Sequence, residues 1–403
     1  MENNLFDIKD TVYNVTEKYN EAIEVLISLG FDNLKNEVMR KSLGKAITIE
    51  AALKMKKIDP STFETELLNK IQERKEQGEK LQKEVISLAG VLPCPVKVPL
   101  METFEKWLGE QDFSFELKHE FKAASMGIDW MMESLEQQSI HEIPDFFLSA
   151  GFELFFDQKL FGKWKAEDLF VDVAGLEHYH QDFENDKISL KDPKKQYSIL
   201  GVVPAVFLIN TEELNGRRMP TSWSDILSKE FENSVSLPIA DFDLFNAILL
   251  NIYKNYGEDG VIRLGKSLSR GMHPSEMVKS HIKKNNRPAI SIMPYFFSWM
   301  AKVDGPMKAV WPEDGAIISP IFMLSKKEKK EKLAPIVQFF ASKEVGEILA
   351  HNGRMPSVNP EVDNQIEKEN NYMWLGWDFI KEHDISTLIK TCIELFESGS
   401  KGE

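Results

Sequence analysis

The fold of this chain is decided by residues 287–320, which read RPAISIMPYFFSWMAKVDGPMKAVWPEDGAIISP. Residues 289–293 are apolar, rich in β-branched side chains and bounded by two prolines, a pattern typical of a strand that is buried on both faces. A short aromatic helix is predicted to begin at Tyr295. Ligands of open α/β sheets bind beyond the carboxyl ends of the strands, so we expect the Tyr295 phenol to face a ligand.

Residues 307–310 and 316–324 predict two further strands, with the sequence WPEDG between them. A pattern of this kind can carry the chain from one lobe of a protein to another. The alternative interpretation of the whole stretch is an ordinary buried strand and helix with a tyrosine in the core.

The composition argues against several classes of protein. The chain has 403 residues, 42% of them apolar, which is enough for two or three folding units with proper cores. Its net charge of -15 would repel nucleic acid and anionic membrane surfaces. No window approaches the run of about 18 apolar residues that a transmembrane helix needs. We therefore expect neither a nucleic-acid partner nor insertion into a membrane.

The first residues, MENNLFDIKDTVYNV, predict a cytoplasmic protein, because they carry acids where a signal peptide needs positive charge and lack a long apolar run. The chain has two cysteines, Cys94 and Cys392, which lie far apart in the sequence. They predict neither a disulfide framework nor a paired-cysteine zinc site.

Residues 1–72 predict a small all-α domain, and a charged helical linker over residues 73–86 follows it. A helix over residues 16–29 is expected to end at Gly30, and Thr48 has the form of an N-cap. The order of these elements resembles a small helical domain of unknown function from anaerobic bacteria, and more distantly the N-terminal domain of iron–sulfur-cluster repair proteins of the ScdA type. The cysteine that marks the repair proteins is absent, so the resemblance implies a fold without redox chemistry.

Beyond this domain, strands alternate with helices, which predicts an α/β fold with a mostly parallel sheet. The longest β segment, residues 197–210, has Gly201 and Pro204 in its middle, as expected of a strand that crosses between two lobes and flexes there. The other predicted strands are 85–92, 113–117, 145–151 and 234–237, and the predicted helices are 98–108, 128–135, 152–160, 221–227, 243–256 and 260–268.

Several segments together resemble the substrate-binding components of ferric-iron and related ABC importers, which have the type 2 periplasmic-binding-protein fold. The resemblance implies two lobes with mixed sheets, lobe 1 at about 87–203 and 316–403 and lobe 2 at about 204–315, which close on a ligand about hinge strands. The matching segments are Asn210 with the following Thr, residues 220–227, the strand and tyrosine at 291–295, the PEDG sequence at 312–315, and residues 339–350 and 354–356.

The resemblance also implies a ligand site, carried over position by position. Ferric-binding members have two adjacent tyrosines where this chain has Tyr295 followed by Phe296, so one phenol stands where the family has two. Asp241 is a further candidate ligand, with a helix cap as the alternative. The other implied ligand residues are Pro93, Cys94 and Pro95 after the first strand and Ser149 and Gly151 after the third.

Cys94 and Tyr295 are the candidate metal ligands. A thiol beside the N–H groups of a helix start can bind a soft metal, and the alternative for Cys94 is a small buried apolar residue. His178 and His180 have strand spacing and could add ligands, with a surface position as the alternative.

The leading hypothesis is non-enzymatic binding of a small anion, metal ion or metal complex between two lobes, with the helical domain as a docking site for a protein partner. The second is an accessory protein or chaperone for metal-cofactor handling, with Cys94 as a metal ligand. The third is an enzyme derived from the cleft, with Cys94 as its nucleophile. The sequence contains no catalytic triad, phosphate-binding glycine loop or spaced pair of carboxylates, and this favours binding. The ligand and any metal cofactor stay unnamed.

Overall fold

The computed structural model describes residues 6–80, 84–135, 139–282, 287–302 and 304–402. The chain divides into two compact units: Met1–Glu84 with Ser114–Glu116, and Val85–Phe113 with Leu117–Glu403. Within the described residues, no helix combines the length and the apolar character that crossing a bilayer requires.

The first unit is a bundle of α-helices around a core of eleven buried apolar residues, among them Leu26, Leu53 and Phe63. Thr48 caps a helix as expected, because its side chain accepts a hydrogen bond from the Ala51 amide. The helices are α1 (Val12–Lys18), α2 (Glu21–Ser28), α3 (Glu37–Ala46), α4 (Ile49–Lys56) and α5 (Pro60–Lys80).

The single helix predicted over residues 16–29 is wrong. The backbone is extended at Tyr19, so α1 ends there and α2 begins two residues later. Gly30 follows the end of α2 with φ of +91°, a conformation that suits glycine. The last helix, α5, continues to Lys80, so part of the predicted linker is helical.

The second unit contains a ten-stranded sheet in the order β2-β1-β3-β9-β4-β7-β5-β6, with β10 beside β9 and β8 beside β4. The strands are β1 (Val85–Leu92), β2 (Glu116–Ala123), β3 (Phe146–Ala150), β4 (Tyr197–Asn210), β5 (Val235–Leu237), β6 (Leu268–Gly271), β7 (Ile290–Pro294), β8 (Met307–Val310), β9 (Ala316–Ser325) and β10 (Tyr372–Met373).

The sheet is mixed, which confirms the predicted fold class. β1 is parallel to β3, and β5 is parallel to β6 and β7. The two longest strands, β4 and β9, run antiparallel to each other, β9 is antiparallel to β3, and β4 is antiparallel to β7 and β8. The centre of the sheet is therefore antiparallel, which the alternation of strands and helices did not predict.

Strands β4 and β9 belong to both lobes of the unit. The first part of β4 pairs with β9, and its last residues pair with β7 on one side and β8 on the other. The register of the β4–β9 pair shifts between Ile199 and Gly201. A Cβ at Gly201 would lie 2.8 Å from the Pro356 carbonyl oxygen, so only glycine fits at this irregularity.

The helices of the second unit cover the sheet. They are α6 (Cys94–Gly109), α7 (Asp129–Leu135), α8 (Lys163–Ala166), α9 (Trp223–Ile226), α10 (Phe242–Ser267), α11 (Pro274–Met277), α12 (Tyr295–Ser298), α13 (Lys330–Phe340), α14 (Lys343–Glu347), α15 (Trp377–Glu382) and α16 (Ile385–Lys401), with π-helical turns at Gln158–Gly162 and Ile348–Asn352.

Two sequence predictions need correction. The strand predicted at 113–117 is β2, which begins at Glu116. The helix predicted at 152–160 is a series of turns that leads into a π-helical turn, because Phe152, Leu154 and Phe155 all point into the core and no single helix face could bury them. The break predicted between the helices at 243–256 and 260–268 is confirmed, because the backbone of α10 is non-helical at Gly257, with φ of +68°.

Helices α10 and α16 approach each other closely. A Cβ at Gly265 would lie 2.1 Å from the Phe396 carbonyl oxygen, and one at Gly399 would lie 2.1 Å from the Ile262 carbonyl oxygen. The two helix backbones therefore touch at this pair of glycines, and no larger residue fits at either position.

We expect Gly265→Val to lower the free energy of unfolding by about 2–3 kcal/mol, because the added methyl groups must push the helices apart. Urea unfolding followed by circular dichroism would measure this. Gly109→Ala is the matched control, because its Cβ would meet nothing within 4 Å and its effect should stay within about 1 kcal/mol. Equal stability of the two variants would contradict the close contact.

Candidate ligand site

Tyr295 is held at the end of a fully buried strand. β7 ends at Pro294, which occupies the N-cap position of α12, and Tyr295 is the first residue of that short helix. Its ring meets Trp311 edge-on with centroids 5.2 Å apart, and it meets Trp299 in the same way at 6.1 Å. The phenol is thus positioned by a rigid strand and by two indole rings, as expected from the sequence.

A second tyrosine also packs on Trp311. Tyr372, in β10, meets Trp311 at 5.4 Å and 83°. The Trp311 indole is fixed by a 2.7 Å hydrogen bond from its Nε1 to the Asn371 carbonyl oxygen. We call Tyr295, Trp311 and Tyr372 the two-tyrosine cluster.

The Tyr372 hydroxyl is the unusual group of this cluster. Its oxygen is buried and has no hydrogen-bond partner among the described residues. Burial raises the pKa of Tyr372 well above its usual value, and the charges of Asp182 and Tyr295 raise it further. A buried hydroxyl without a partner costs about 1–3 kcal/mol.

A histidine and a carboxylate lie beside Tyr372. The Asp182 carboxylate is 3.2 Å from His180 Nδ1, and both side chains are largely buried. His178, by contrast, lies at the surface near Glu184. The structure therefore separates the two histidines that the sequence grouped together, and His180 is the one near the cluster.

Tyr372 was missed by sequence reasoning. It lies in the segment NYMWLGW at 371–377, whose density of aromatic residues is the one local signal that could have drawn attention to it. Its proximity to Tyr295 depends on how β10 adds to β9, which no local pattern encodes.

Cys94 is the first residue of α6, and its side chain is exposed. The alternative interpretation of Cys94 as a small buried residue is therefore wrong. The two prolines that flank Cys94 differ in exposure, since Pro93 is buried and Pro95 is half-buried. The start of α6 packs on Gly353, where an added Cβ would lie 2.5 Å from Val96.

Arg354 follows Gly353 and joins this region to α12. Its guanidinium lies 4.1 Å from the centroid of the Trp299 ring, a cation–π contact between the two lobes. It also donates a 2.8 Å hydrogen bond to Gln365 Oε1. Contacts thus run from Val96 through Gly353 and Arg354 to Trp299.

Ser149 and Gly151 have different surroundings. Ser149 is fully buried in β3, and its Oγ donates a hydrogen bond to the Ala150 carbonyl oxygen. Gly151 has φ of +80°, and a Cβ there would lie 2.7 Å from Asp243 Oδ1. Gly151 therefore lies against the first turn of α10.

Asp241 takes the N-cap position of α10, close to the carboxylates of Asp243 and Glu153. Burial raises the pKa of Asp241, although the Leu244 amide and His273 offset part of the effect. Burial raises the pKa of Asp243 well above its usual range, and the nearby carboxylates add to it. The predicted site residues thus fall into two regions, one around Tyr295 and one around α10. As ligand contacts they stay predictions.

Residues 141–383, more than half of the chain, match the sequence profile of a family described as bacterial extracellular solute-binding protein. The chain belongs to this family. Residues 6–63 match the profile of a domain of unknown function, DUF1858. Both results confirm the resemblances drawn from the sequence.

Solved structures of similar fold support the assignment of this solute-binding protein. A ferric binding protein from Campylobacter jejuni is 13% identical, with a TM-score of 0.54 over 78% of this chain and 99% of the other. The apo ferric ion-binding protein A of Pasteurella haemolytica is 12% identical, with a TM-score of 0.55 over 79% and 99%.

A third similar structure is a Trichodesmium protein (IdiA, FutA) in complex with iron and citrate, 11% identical, with a TM-score of 0.55 over 78% and 99% of the two chains. At these identities the likeness establishes the fold alone. Among curated protein sequences, none matches this chain.

In the parts of the chain that the structure describes, no three His, Cys, Asp or Glu side chains are arranged to hold a metal ion. Phenol oxygens are outside that set.

The two cysteines of this solute-binding protein should differ in reactivity. Cys94 is exposed, whereas burial, with a smaller effect from Glu258, raises the pKa of Cys392 to about 12. We expect one thiol per native chain to react with a chromogenic disulfide reagent on the order of 100-fold faster than the other. Cys94→Ser should abolish the fast phase. A fast phase that survives this substitution would contradict the assignment.

The buried carboxylate of Asp243 gives a test of stability against pH. A raised folded-state pKa means that folding favours the protonated form, so stability is lost as pH rises from the unfolded pKa towards the folded one. We expect Asp243→Asn to raise the free energy of unfolding by about 1–3 kcal/mol at pH 8 and to change it little at pH 4.

Asp225→Asn is the matched control in the same unit. Burial alone would raise the pKa of Asp225, but hydrogen bonds from Thr221 and Ser222 hold it below its usual value. Asp225→Asn should therefore have the opposite effect and lower the free energy of unfolding at pH 8. Thermal unfolding of both variants at the two pH values would measure these effects. A change in stability of the same sign in both variants would contradict the role given to burial at Asp243.

Proposed function

We propose that this solute-binding protein binds a metal ion or a metal complex through the Tyr295 and Tyr372 phenols, between its two lobes. The observation that carries this proposal is the buried Tyr372 hydroxyl, which has no hydrogen-bond partner among the described residues. Trp311 lies against both tyrosine rings and fixes their separation. Binding, rather than catalysis, is the activity that the family and this geometry support.

Local charge favours a cation over a free anion. Burial raises the pKa of Tyr372, and the Asp182 carboxylate adds to this effect and would repel an anionic ligand. A bound cation reverses this effect, because it lowers the pKa of a phenol that coordinates it and then interacts favourably with the Asp182 carboxylate. His180 lies beside that carboxylate and would hold it in place.

Tyr372 also offers an explanation for the family difference noted in the sequence. Phe296 stands where ferric-binding members have their second tyrosine, and Tyr372 supplies a second phenol from another segment of the chain. Ferric iron is the first metal to test, because hard cations prefer anionic oxygen ligands and because structures of similar fold include ferric binding proteins.

The test is titration of the full chain with ferric citrate, followed by the visible absorption of an iron–phenolate bond. We expect Tyr295→Phe and Tyr372→Phe each to weaken binding by at least about ten-fold, or about 1.4 kcal/mol, and to diminish the absorption band. Tyr256→Phe is the control, because the Tyr256 hydroxyl is bonded to Asp314 outside the cluster.

Asp182→Asn covers the case in which a tyrosine variant fails to fold, since it removes the nearby charge and keeps the side-chain shape. It should also weaken iron binding. Iron binding that is unchanged in all three cluster variants, or the absence of any iron–phenolate band with the unaltered protein, would overturn the proposal.

A role in metal-cofactor handling is the second candidate, and the exposure of Cys94 at the start of α6 favours it. Under this alternative, Cys94→Ser removes the bound metal and the tyrosine variants have little effect. Elemental analysis of protein purified without chelators, compared across Cys94→Ser and Tyr372→Phe, separates the two candidates.

Two further proposals concern the location of the protein in the cell and a protein partner. We propose a cytoplasmic location and a protein partner for the helical unit, on the basis of the charge pattern of residues 1–15 and of the separate core around Leu53 and Phe63. Cell fractionation and cross-linking of the full chain would test these two points.

A further inference from the structure

A cavity of about 480 Å³ lies in lobe 1, between the turns around residue 165 and helix α15. None of the two-tyrosine cluster lines it. Its volume is in the range of pockets that hold small organic molecules. Its lining combines an apolar wall with charged groups, including Lys165, Asp192, Tyr197 and Trp377.

Three aromatic rings in a row form one wall of this cavity. Phe156 stacks on Tyr197 with centroids 5.3 Å apart at 19°, and Tyr197 stacks on Trp377 at 5.7 Å and 27°. The polar atoms of two rings are already used, because Tyr197 Oη donates to the Phe155 carbonyl and Trp377 Nε1 donates to the Leu190 carbonyl. Phe156 and Tyr197 are almost fully buried in this stack, so the half-buried Trp377 is the ring that the wall presents to a planar apolar ligand.

Lys165 supplies the charge at this wall. Its Nζ lies 4.7 Å from the centroid of the Phe156 ring and donates a 2.8 Å hydrogen bond to the Phe155 carbonyl oxygen. An ammonium has three donors; among the described residues the acceptor shown for Lys165 is the Phe155 carbonyl, and its Nζ also lies 5.7 Å from the centroid of the Tyr197 ring. A largely buried ammonium is costly unless an anion pairs with it.

Two carboxylates, Asp192 and Asp157, act on the charge of Lys165, and both also accept hydrogen bonds from backbone amides. Asp192 accepts hydrogen bonds from the backbone amides of Lys194, Gln196 and Tyr197, at 2.9, 2.8 and 3.1 Å. Burial lowers the pKa of Lys165 to about 8, and the charge of Lys194 adds to the effect. A ligand anion that pairs with Lys165 would offset both the cost of burying its charge and the repulsion from Lys194.

We propose that this cavity is a second binding site, which takes a small planar organic anion with its carboxylate or phosphate on Lys165 and its flat face on the aromatic wall. Lys194 and Lys381 also line the cavity, together with the carboxylates of Asp192 and Asp378, so the lysines outnumber the carboxylates in the lining. The site differs from the metal site in position and in charge preference.

Pyridoxal 5′-phosphate is a suitable probe, because it is a planar phosphate that carries an aldehyde. Its aldehyde carbon forms an imine with the neutral Lys165 nitrogen and releases water, and borohydride then reduces the C=N bond to a stable amine. An anion that pairs with the Lys165 ammonium competes with this reaction. A lysine with a pKa of about 8 has on the order of 100-fold more neutral amine at pH 7.5 than an ordinary lysine.

The experiment treats the native full chain with the probe and borohydride, and maps the labelled peptides by mass spectrometry. We expect Lys165 to be labelled at least about ten-fold more than Lys163, an exposed lysine of the same short helix. Benzoate and inorganic phosphate are the two competitors. Protection by benzoate favours a carboxylate ligand, and protection by phosphate favours a phosphate ligand.

Lys165→Met and Lys163→Met are the matched variants, with benzoate binding measured by calorimetry as a second readout. Lys165→Met should lose benzoate binding and retain ferric binding, whereas Lys163→Met should retain both. Labelling of Lys165 no faster than Lys163 would overturn the proposal, and so would selective labelling that neither competitor reduces. The labelling of Lys165 and the binding of benzoate do not depend on whether the tyrosines bind ferric iron.

Discussion

The antiparallel pairing of β4 with β9 is the constraint on which the rest of the structure depends. Each strand is buried over almost its whole length and contributes to the sheet of both lobes. The lobes are therefore joined by two hydrogen-bonded strands and not by flexible linkers. A movement of one lobe on the other has to bend these strands, and the irregular register at Gly201 is where their pairing is already interrupted.

This connection also explains where the two-tyrosine cluster lies. Tyr295 follows β7, which is paired with β4, and Tyr372 lies in β10, which is paired with the start of β9. Trp311 is in the segment between β8 and β9. All three residues are therefore attached to the shared strands, and any bend of those strands changes the distance between the two phenols.

Much of the fold could be predicted from the sequence, because burial on both faces leaves a clear mark. The segment predicted at 197–210 coincides with β4, since its apolar side chains have no polar alternation. Local pattern was less informative at 152–160, where a run of aromatic residues has no periodicity that separates a helix from buried turns. The break in α10 at Gly257 was predictable, because glycine is the residue that most readily takes the positive φ found there.

The candidate site was predictable only in part. Tyr295 was found because it follows a recognisable strand, and Cys94 was placed correctly at a helix start. Tyr372 was not found, because a two-residue strand far along the chain has no pattern of its own. The cavity at Lys165 was missed for the same reason, since its aromatic wall joins residues 156, 197 and 377 only after folding.

The pairing of β3 with β9 has a consequence for how this chain folds. Phe146 in β3 lies opposite Ser325 in β9, so lobe 1 cannot complete its sheet until the whole of lobe 2 has been synthesised. Until then β3, whose five residues are all buried in the native state, has an unprotected edge. Such an edge is a template for pairing with other chains, so newly made molecules are exposed to aggregation for as long as lobe 2 takes to emerge.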